Sequence, residues 1–329
     1  RRRRTLHDMP RGAGRLRTVG QLCSPEDIRE QLPCPSAASA IARQTALAVQ
    51  AILKRDDHRL IIIMGPCSVH SVDGARDYAR ALKPVADAVS DSVLVIARCY
   101  VEKSRTGGGW LGMARDPFLN GSTGSEDGIL QARKTMLAML NEGMPIGTEL
   151  VSPFLWRYWD DLVSWVSVGA RGVESQGLRE SAKALRVPCG FKNSKDGRLD
   201  SALYAIESAH SHGRSLTIGD DGRIEEITSD GNPYPHLILR GSDSGPNWRK
   251  ARYAAAPMEL LGLQAACIID ASHGNSRGKA KRQPAVARLA CESSLRVPAI
   301  RGIMVESYLD EGFQRIIPGM PVSDRISVT

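Results

Sequence analysis

An α/β fold of eight repeated strand and helix units is predicted by two features of this 329-residue sequence. Short β-rich runs alternate with stretches of helical composition, and each run ends in a polar or charged residue where a loop should begin. The intervening stretches, such as "VDGARDYARALKPVADAV", "GILQARKTMLAMLNEG" and "LDSALYAIESAHSHG", carry apolar residues at three- and four-residue spacing. Eight strands alternating with helices predict a (β/α)8 TIM barrel, in which the active site lies at the carboxyl ends of the strands.

Each of the eight predicted strands carries a candidate functional residue at its carboxyl end or just beyond it. In chain order the runs are "LIIIMGPCS" with Cys67, "VLVIARCYVEK" with Arg98 and ending at Lys103, "PIGTEL" with Glu149, "VSVGARG" with Arg171, "VPCGFKN" with Lys192, "HLILRGS" with Arg240, "CIIDASH" with His273, and "GIMVES" with Glu306. Because parallel strands of a barrel end at one rim, we expect these side chains to lie around a common mouth.

Two segments lie outside this repeat. Residues 1–58 are assigned to an N-terminal extension, a tail followed by one clear helix over "PSAASAIARQTALAVQAILKR", whose start is marked by Pro35 and Ser36. The barrel is assigned to residues 59–329. Within it, "SLTIGDDGRIEEITSDGN" predicts an inserted β-hairpin over about 215–232, turning at Asp221-Gly222 before the sixth barrel strand.

The formal net charge of +8 is concentrated at the start of the chain. The first 17 residues hold seven arginines and one acid, Asp8, so the remaining sequence is nearly balanced. The simplest interpretation of "RRRR" is a solvated, disordered tail, with RNA, membrane and targeting roles as the alternatives. Because neither "RRRR" nor "RGKAKRQ" is interleaved with aromatic residues, the sequence predicts no nucleic-acid partner.

Cysteine usage and hydropathy define the expected compartment. The seven cysteines are scattered and form no CxxC pair, which argues against a disulfide scaffold and against a structural zinc ribbon. No apolar run is long enough to form the core of a signal peptide or a membrane span. The sequence therefore predicts a cytoplasmic protein with no membrane partner.

The strand-end residues fall into two chemical sets. Cys67, His273 and Glu306 offer a thiolate, an imidazole and a carboxylate, which suit a divalent transition metal with one position open. The second set is cationic and consists of Arg98, Lys103, Arg105, Arg171, Lys192 and Arg240. Converging cations repel one another unless an anion neutralises them, and arginine forks match phosphate and carboxylate oxygens. Among these cations, Glu149 is suited to orient a water or to tune a lysine.

Each of these residues also has a simpler structural interpretation. Cys67 alone is typical of a small core residue, His273 of a turn or helix-cap partner, and Glu306 of an ion-pair partner for an arginine. A single arginine or lysine is usually a surface charge. Their joint placement at one end of successive strands favours a shared site. The residues alone thus predict a metal-assisted reaction on phosphorylated, anionic small molecules, without naming them.

Several motifs together resemble a known family. "GPCSVH", "RCYVEKSRTGGGWLG", "GARGVESQGLRE", "GFKNSKDG", "LRGS", "DASHGNS" and "MVESYLDEG" stand in the order expected for the class I 3-deoxy-D-arabino-heptulosonate 7-phosphate (DAHP) synthases, in their aromatic-amino-acid-regulated subgroup. The resemblance runs from about residue 20 to the end of the sequence. It implies the condensation of phosphoenolpyruvate with erythrose 4-phosphate to give DAHP and phosphate, the first step of the shikimate pathway.

The resemblance also implies residue roles. Cys67, His273 and Glu306 resemble the ligands of a divalent metal, which is Mn, Fe, Co or Zn in this interpretation. The residues implied for phosphoenolpyruvate are Arg98, Lys103, Arg171, Lys192 and Arg240, with Gly169 and Ala170 beside them, and those implied for erythrose 4-phosphate are Lys103, Arg105 and Thr106. Catalytic roles fall to Lys103, Glu149, Arg171, Lys192 and His273. A homodimer or homotetramer and a Phe, Tyr or Trp effector are also implied.

The sequence departs from the family pattern at several points. The family's fourth metal ligand is an aspartate in a segment resembling "SxTDxC", whereas this sequence ends "SDRISVT", apparently truncated before that aspartate and before the last helix. Asp324 lies upstream of the matching position and is not assigned as a ligand. We expect a protein ending at Thr329 to be poorly active and prone to aggregate. Ser104, Gly107-Gly108 and Gly172-Val173 also differ from the family's usual residues, in or near the aldehyde-binding loop.

Two other functions remain open from the sequence. A 3-deoxy-D-manno-octulosonate 8-phosphate synthase uses a similar barrel and the same phosphoenolpyruvate chemistry on arabinose 5-phosphate, but the "KSRT" stretch and the long extension resemble the DAHP enzymes. A catalytically weak paralogue, serving as a regulatory or assembly partner, is favoured by the missing aspartate alone.

Overall fold

The computed structural model describes residues 18–121 and 124–328, and its centre is a closed barrel of parallel strands. The strands are β1 Leu60–Gly65, β2 Val93–Arg98, β3 Ile146–Leu150, β4 Trp165–Val168, β5 Cys189–Lys192, β6 Gly213–Ile218, β7 Ile224–Ser229, β8 Pro235–Leu239, β9 Cys267–Asp270, β10 Ile300–Glu306, β11 Asp310–Gln314 and β12 Ile326–Val328. The barrel follows the order β1-β10-β9-β8-β5-β4-β3-β2, so all eight predicted barrel strands are confirmed.

Helices cover the outside of the barrel. They are α1 Pro25–Gln31, α2 Ser36–Lys54, α3 Val72–Ala88, α4 Ser125–Asn141, α5 Gln176–Ala184, α6 Asp200–His210, α7 Ala255–Leu260 and α8 Gln283–Ser294, with short 3-10 turns at Leu155–Tyr158, Trp248–Tyr253 and Ala280–Arg282. Within the described ranges, no helix is both long enough and apolar enough to cross a bilayer. The Arg-rich tail, residues 1–17, lies outside the described residues.

The predicted β-hairpin is confirmed as the antiparallel pair β6 and β7, in which Ile218 pairs with Ile224. Its turn contacts the extension, because the Glu26 N–H donates to the Asp220 carbonyl at 3.0 Å. Arg29 reinforces this contact through its ion pair with the Asp220 carboxylate at 2.8 Å. These two contacts join the hairpin to α1 in the N-terminal extension.

The helix α1 was missed by the sequence analysis, which identified only α2 in the extension. Its start carries a capping box, in which Ser24 Oγ accepts from the Asp27 N–H at 3.1 Å and Asp27 Oδ2 accepts from the Ser24 N–H at 2.8 Å. The "SPED" stretch was a legible start signal. By contrast, α2 begins after Pro35 without a side-chain capping bond.

One strand end was predicted wrongly. The run "VLVIARCYVEK" was expected to end at Lys103, but β2 ends at Arg98. Beyond Arg98 the chain stays buried, and after Cys99, whose N–H still donates to the Gly147 carbonyl of β3, its backbone bonds go to loops: the Val69 N–H donates to the Tyr100 carbonyl, and the Lys103 N–H donates to the Leu111 carbonyl. The apolar "CYV" run is thus explained by burial against loops, and Lys103 lies in a loop over the mouth.

The barrel interior opposite the mouth is filled by apolar side chains. Ile63, Ile96, Trp165, Ile238, Ile268 and Met304 belong to one buried cluster inside the strands. The helix α2 adds Val49, Ile52 and Leu53 to it, so the extension closes the bottom of the barrel. A second, larger cluster lies between the barrel and its outer helices.

Candidate active site

Along four barrel strands, an apolar interior residue is followed two positions later by a charged one. The pairs are Ile96 and Arg98, Ile238 and Arg240, Ile268 and Asp270, and Met304 and Glu306. Side chains two positions apart on a strand point to the same face. Because the four apolar members share the interior cluster, the charged members continue that face toward the carboxyl end. Buried charge therefore begins where the apolar core ends.

We define the mouth cluster as the linked side chains at this end of the barrel. Its members are Cys67, Arg98, Tyr100, Lys103, Lys192, Asp270, His273 and Glu306. Every member except Tyr100 and Asp270 was predicted from the sequence as a site residue.

Arg98 is the centre of the mouth cluster, with 1% of its surface exposed. Its guanidinium donates to the Pro66 carbonyl at 3.2 Å, to the Cys67 carbonyl at 3.3 Å and to Glu306 Oε1 at 3.2 Å. The guanidinium also stacks on Tyr100, with Cζ 4.0 Å from the ring centroid. A buried cation thus ties the loop after β1 to the end of β10.

His273 is held in a defined orientation. Its backbone φ of 53° lies in the left-handed region, which is uncommon for a residue other than glycine. Nδ1 lies 3.0 Å from Asp270 Oδ2 and 2.8 Å from Ser272 Oγ, whereas Nε2 faces Glu306 Oε1 at 3.9 Å. A proton on Nδ1, donated to Ser272 Oγ, which itself donates to Asp270 Oδ1, leaves Nε2 with a free lone pair toward Glu306.

Cys67 pairs with a lysine at the edge of the mouth. Its Sγ lies 2.6 Å from Lys103 Nζ, and its backbone N–H donates to Ser327 Oγ at 3.2 Å. Burial raises the pKa of the Cys67 thiol, and the neighbouring Glu306 carboxylate adds to this, against the opposing effect of Lys103. The thiol therefore depends on a nearby cation to become a thiolate.

The donor set Cys67, His273 and Glu306 fits a divalent metal by its chemistry. Across the described ranges, no three Cys, His, Asp or Glu side chains are grouped tightly enough to form a ready-made metal site. Even so, the imidazole Nε2 and the carboxylate face each other, and Asp270 bonds the opposite imidazole nitrogen as outer carboxylates do in metal sites. Metal binding at these donors would require the thiol to exchange its contact with Lys103.

The electrostatics of the mouth cluster favour charged side chains. Burial acts to raise the pKa of Glu306, but His273 and Arg98 outweigh it and lower that pKa. Burial acts to lower the pKa of Lys192, but Asp270, 3.5 Å away, outweighs it and raises that pKa. Both groups thus stay ionised although they are buried.

Arg240 faces the mouth with an unsatisfied group. Its Nη1 is buried without a hydrogen-bond partner. An unpaired buried guanidinium nitrogen is costly, and a bound carboxylate or phosphate oxygen would satisfy it. With Lys192 at the end of β5, this side chain gives the β5 and β8 side of the mouth two cations.

A second set of cations lies on the loops above the mouth. Arg171 Nε donates to Thr106 Oγ1 at 2.7 Å, which links the loop after β4 to the loop after β2. Arg105 Nε donates to the Trp110 carbonyl at 2.8 Å, and Gly109 turns the same loop with a φ of +131°. Thr106 and Arg171 are exposed, so this set is open to a ligand from solvent.

Glu149, on β3, lies beside the loop that follows β4. A Cβ added to Gly169 would fall 2.0 Å from Glu149 Oε1, so a larger residue there would displace the carboxylate; Ala170 and Arg171 follow directly. Glu149 lines a small cavity together with Glu102, which is 3% exposed. Burial raises the pKa of Glu102 to about 7. Two carboxyl groups of different burial thus lie close to the predicted substrate loops.

Asp270 is the principal functional residue that the sequence analysis missed. It is fully buried and contacts His273, Lys192 and Ser272, the last by an Oγ–Oδ1 hydrogen bond of 2.5 Å. An aspartate that closes the all-apolar run "CII", three positions before a histidine, was the available signal. Tyr100 was missed as well, because a tyrosine within an apolar run has the sequence pattern of a core residue.

Comparisons with known proteins agree with this geometry. The sequence profile of the DAHP synthetase I family matches residues 39–323. The chain is 38% identical over 296 residues to a Tyr-sensitive phospho-2-dehydro-3-deoxyheptonate aldolase of Salmonella typhimurium, covering 89% of this chain and 83% of that protein. It is 35% identical over 319 residues to a Trp-sensitive aldolase of Salmonella typhi, covering 95% and 91%. The solved structure of phospho-2-dehydro-3-deoxyheptonate aldolase from Francisella tularensis superposes with a TM-score of 0.92 at 32% identity, covering 96% and 93%.

Proposed function

The chain belongs to the DAHP synthetase I family and is a phospho-2-dehydro-3-deoxyheptonate aldolase, acting at the first step of aromatic biosynthesis, and we propose that the mouth cluster carries this reaction. The substrates in this proposal are phosphoenolpyruvate and erythrose 4-phosphate, which condense with water to DAHP and inorganic phosphate. The observation that supports it most directly is that Asp270 lies within 3.0 Å of His273 and 3.5 Å of Lys192, while the other imidazole nitrogen faces Glu306 at 3.9 Å.

Phosphoenolpyruvate is assigned to the β5 and β8 side of the mouth. Arg240 offers a buried guanidinium nitrogen without a partner, and Lys192 has a single carboxylate, Asp270, at 3.5 Å. Arg98 is already satisfied by Glu306 and two carbonyls, so it would set the local field more than it would bind the ligand directly. The carboxylate and phosphate of phosphoenolpyruvate thus meet cations fixed before binding.

Cys67, His273 and Glu306 are assigned to a divalent metal, with Mn, Fe, Co and Zn all compatible with a mixed thiolate, imidazole and carboxylate set. When bound, the metal would supply Lewis-acid polarisation of the aldehyde oxygen of erythrose 4-phosphate. Asp270 would hold the His273 proton on Nδ1 and so keep Nε2 available. Lys103, adjacent to the thiol, would favour the thiolate.

Erythrose 4-phosphate is assigned to the loops above the mouth. Arg105, Thr106 and Lys103 would bind its phosphate, and Arg171 joins the two loops through Thr106. The enol carbon of phosphoenolpyruvate would form the new carbon–carbon bond with the aldehyde carbon. Water would then add at the carbon bearing the phosphate, oriented by Glu149, and phosphate would leave with cleavage of that carbon–oxygen bond.

Feedback regulation by an aromatic amino acid is proposed from the relatives. Two of them are Tyr-sensitive and Trp-sensitive enzymes, and both match most of this chain. We infer an aromatic amino acid effector for this enzyme as well, and a homodimer or homotetramer as its assembly. Inhibition of turnover by Phe, Tyr and Trp in separate assays, with the mass of the assembly in solution, would test both parts.

The test of the proposed function is a coupled measurement of turnover and metal binding. Phosphoenolpyruvate consumption with erythrose 4-phosphate is measured with Mn²⁺ and with a chelator, and arabinose 5-phosphate serves as the competing aldehyde. We expect chelator-sensitive turnover with erythrose 4-phosphate only. Turnover that is unaffected by the chelator would contradict the metal role, and preference for arabinose 5-phosphate would contradict the assigned aldehyde.

A second readout is independent of turnover. Titration with Co²⁺ should give a thiolate-to-metal charge-transfer band in the parent protein, and Cys67→Ala should abolish it. Cys291→Ala is the matched control, because Cys291 is a partly buried free cysteine on α8 and is not part of the mouth cluster. Loss of the band in both variants, or in neither, would contradict the ligand assignment.

A further inference from the structure

Three buried asparagines lie beyond the ends of β5, β8 and β9. Asn193 directly follows Lys192, Asn247 lies in the loop after β8, and Asn275 lies two residues after His273. They are 0%, 6% and 3% exposed, respectively. None of the three was assigned a role by sequence reasoning or by the proposed function.

The three residues are joined to one another, Asn193 and Asn247 by their side chains and Asn275 to the Asn247 backbone. Asn193 Oδ1 accepts from Asn247 Nδ2 at 3.1 Å, and Asn275 Oδ1 accepts from the Asn247 backbone N–H at 2.9 Å. Asn247 is therefore the middle link between a residue 54 positions upstream and one 28 positions downstream. We call these three residues the carboxamide chain.

The other bonds of the carboxamide chain go to the backbone beside the site residues. Asn193 Oδ1 also accepts from the Arg240 N–H at 2.8 Å, and Asn247 Oδ1 accepts from the Gly241 N–H at 2.8 Å. Asn275 Nδ2 donates to the Asp270 carbonyl at 2.8 Å. The same nitrogen donates to the Leu239 carbonyl at 2.8 Å, and Asn193 Nδ2 donates to the Gly241 carbonyl at 3.0 Å.

The strand ladder does not extend as far as these groups. The pairing of β8 with β9 ends at Leu239 and Ile269, and that of β5 with β8 ends at Lys192 and Ile238. Beyond these pairs, the Ile238 and Arg240 carbonyls still accept from the Asn193 and Gly274 N–H groups at 3.1 Å each, but the Arg240 and Gly241 N–H groups bond to asparagine side chains and not to a strand. The carboxamide chain supplies the hydrogen bonds to the backbone where the strand pairing ends. It does so on β5, β8 and β9, which lead to Lys192, Arg240 and the Asp270–His273 pair.

We propose that the carboxamide chain of Asn193, Asn247 and Asn275 is a positioning device, which sets the spacing between the phosphoenolpyruvate cations Lys192 and Arg240 and aligns both with His273. Within the described ranges, the side-chain hydrogen bonds of Asn247 go to Asn193 and to the Gly241 N–H, so its side chain acts through these two residues. Its effect should therefore appear in the binding of phosphoenolpyruvate, because the side chain joins the residue after Lys192 to the residue after Arg240. This inference rests on the proposed function only for the identity of the anion.

The test compares Asn247→Ala with a matched control, Asn232→Ala. Asn232 is 1% exposed, its Nδ2 donates to the carbonyls of Ala182, Leu185 and Val187, and its Oδ1 accepts from the Tyr234 N–H. It precedes β8 and so lies at the opposite end of the barrel from the mouth. Both variants lose a buried carboxamide and leave backbone groups unpaired, so both should lower the melting temperature.

Only Asn247→Ala should change substrate binding. We expect KM for phosphoenolpyruvate to rise about tenfold, with KM for erythrose 4-phosphate changed by less than about twofold, and Asn232→Ala to leave both unchanged. The dissociation constant of phosphoenolpyruvate, measured by calorimetry on the Mn²⁺-loaded protein, should shift in parallel. Equal KM values in the parent and Asn247→Ala, or the same KM changes in both variants, would overturn the proposal.

An isosteric variant covers the case in which Asn247→Ala fails to fold. Asn247→Asp keeps the acceptor for the Gly241 N–H and loses the donor to Asn193, so a rise in KM for phosphoenolpyruvate is again expected. An unchanged KM in this variant would count against the proposal. If the parent protein shows no turnover, calorimetric binding of phosphoenolpyruvate still tests the positioning role, so this failure is distinguishable from a failure of the proposed reaction.

Discussion

The two halves of the barrel interior have opposite chemistry although they are built by the same strands. On β9, Ile268 belongs to the apolar cluster, whereas Asp270, two residues later, holds His273 and Lys192. On β2 the same step leads from Ile96 to Arg98. The same strands thus give the lower half of the interior an apolar core and the upper half a set of paired charges.

Burial also affects stability differently in the two halves. Full burial of an isoleucine such as Ile268 contributes about 1.5–3 kcal/mol, and α2 seals the lower half. In the upper half, each buried charge loses hydration and recovers it only as far as its partners allow. Arg240, with a buried unpartnered Nη1, has not recovered it in the protein alone. The mouth is thus stabilised less than its burial suggests, and the proposed anionic substrate would supply the missing partner.

The largest effect that would separate the two halves is expected from Arg240→Met. Removal of this cation should lower kcat/KM for phosphoenolpyruvate by about 10³, because a fixed charge that meets the substrate's charge is lost. The free energy of unfolding should stay constant or rise by about 1 kcal/mol, since an unsatisfied buried group is removed. Steady-state kinetics and urea unfolding measure the two quantities. Arg249→Met, an exposed neighbour on the same loop, is the control.

The opposite pattern is expected in the lower half from Ile268→Ala. This residue is 0% exposed, and its truncation leaves a cavity in the interior cluster. The free energy of unfolding should fall by about 3.5 kcal/mol, and Ile268→Val should cost about 1 kcal/mol. Below the unfolding transition, KM for both substrates should remain that of the parent. A loss of substrate binding as large as that of Arg240→Met would remove the distinction between the halves.

The lower half contains a titratable group, His236, so its contribution to the free energy of unfolding depends on pH. His236 is fully buried; Trp165 Nε1 donates to its Nε2 at 3.0 Å, and its Nδ1 lies 3.1 Å from the Tyr234 carbonyl. Nε2 must therefore be an unprotonated acceptor. Burial lowers the pKa of His236 from 6.5 to about 4, although the Tyr234 carbonyl acts to raise it.

The sign of this effect follows from proton counts. Between pH 6.5 and 4 the unfolded chain binds the proton and the folded protein does not, so the free energy of unfolding rises with pH and levels off above pH 6.5. Acidification across this window should cost about 3 kcal/mol. Urea unfolding at a series of pH values measures it. In His236→Gln, which does not titrate, this contribution should be absent, and an unchanged pH profile would show that another group is responsible.

The sequence analysis located the boundary between the halves, because the boundary is a change from apolar to charged residues within a strand. The run "GIMVE" shows it directly, and this placed Glu306 correctly at the end of β10, whereas β2, expected to run on to Lys103, ends at Arg98. It failed at Lys103, since an apolar run buried against loops has the same pattern as a strand. The site residues were predictable because their neighbours in sequence reveal their position on the barrel.

The interactions within the mouth were not predictable in the same way. Asn193 and Asn247 are 54 positions apart and meet only because their strands are neighbours in the barrel. Asp270 has the composition of a loop residue, and its role becomes clear only when Lys192 is placed 3.5 Å away. Such partners are set by register and loop geometry, which single-sequence patterns do not encode. A legible local signal was also overlooked at Ser24, where the capping box starts α1.

The smallest expected effect concerns Tyr100, the aromatic ring at the boundary between the two halves. The ring is 1% exposed, carries Arg98 Cζ at 4.0 Å and Lys192 Nζ at 6.0 Å from its centroid, and shares a 2.7 Å hydrogen bond with Ser167 Oγ. If the ring face contributes by holding these cations, Tyr100→Leu should raise KM for phosphoenolpyruvate about fivefold, equivalent to about 1 kcal/mol.

Tyr100→Phe separates the ring from its hydroxyl group. It keeps the face that holds Arg98 and Lys192 and loses only the bond to Ser167, so KM should stay within about twofold of the parent while stability falls by about 1 kcal/mol. Equal KM changes in the two variants would assign the effect to the hydroxyl and thus to packing at the boundary. If only Tyr100→Leu raises KM, the ring is responsible. Tyr100 then belongs functionally to the mouth, and the apolar half of the barrel ends below this residue.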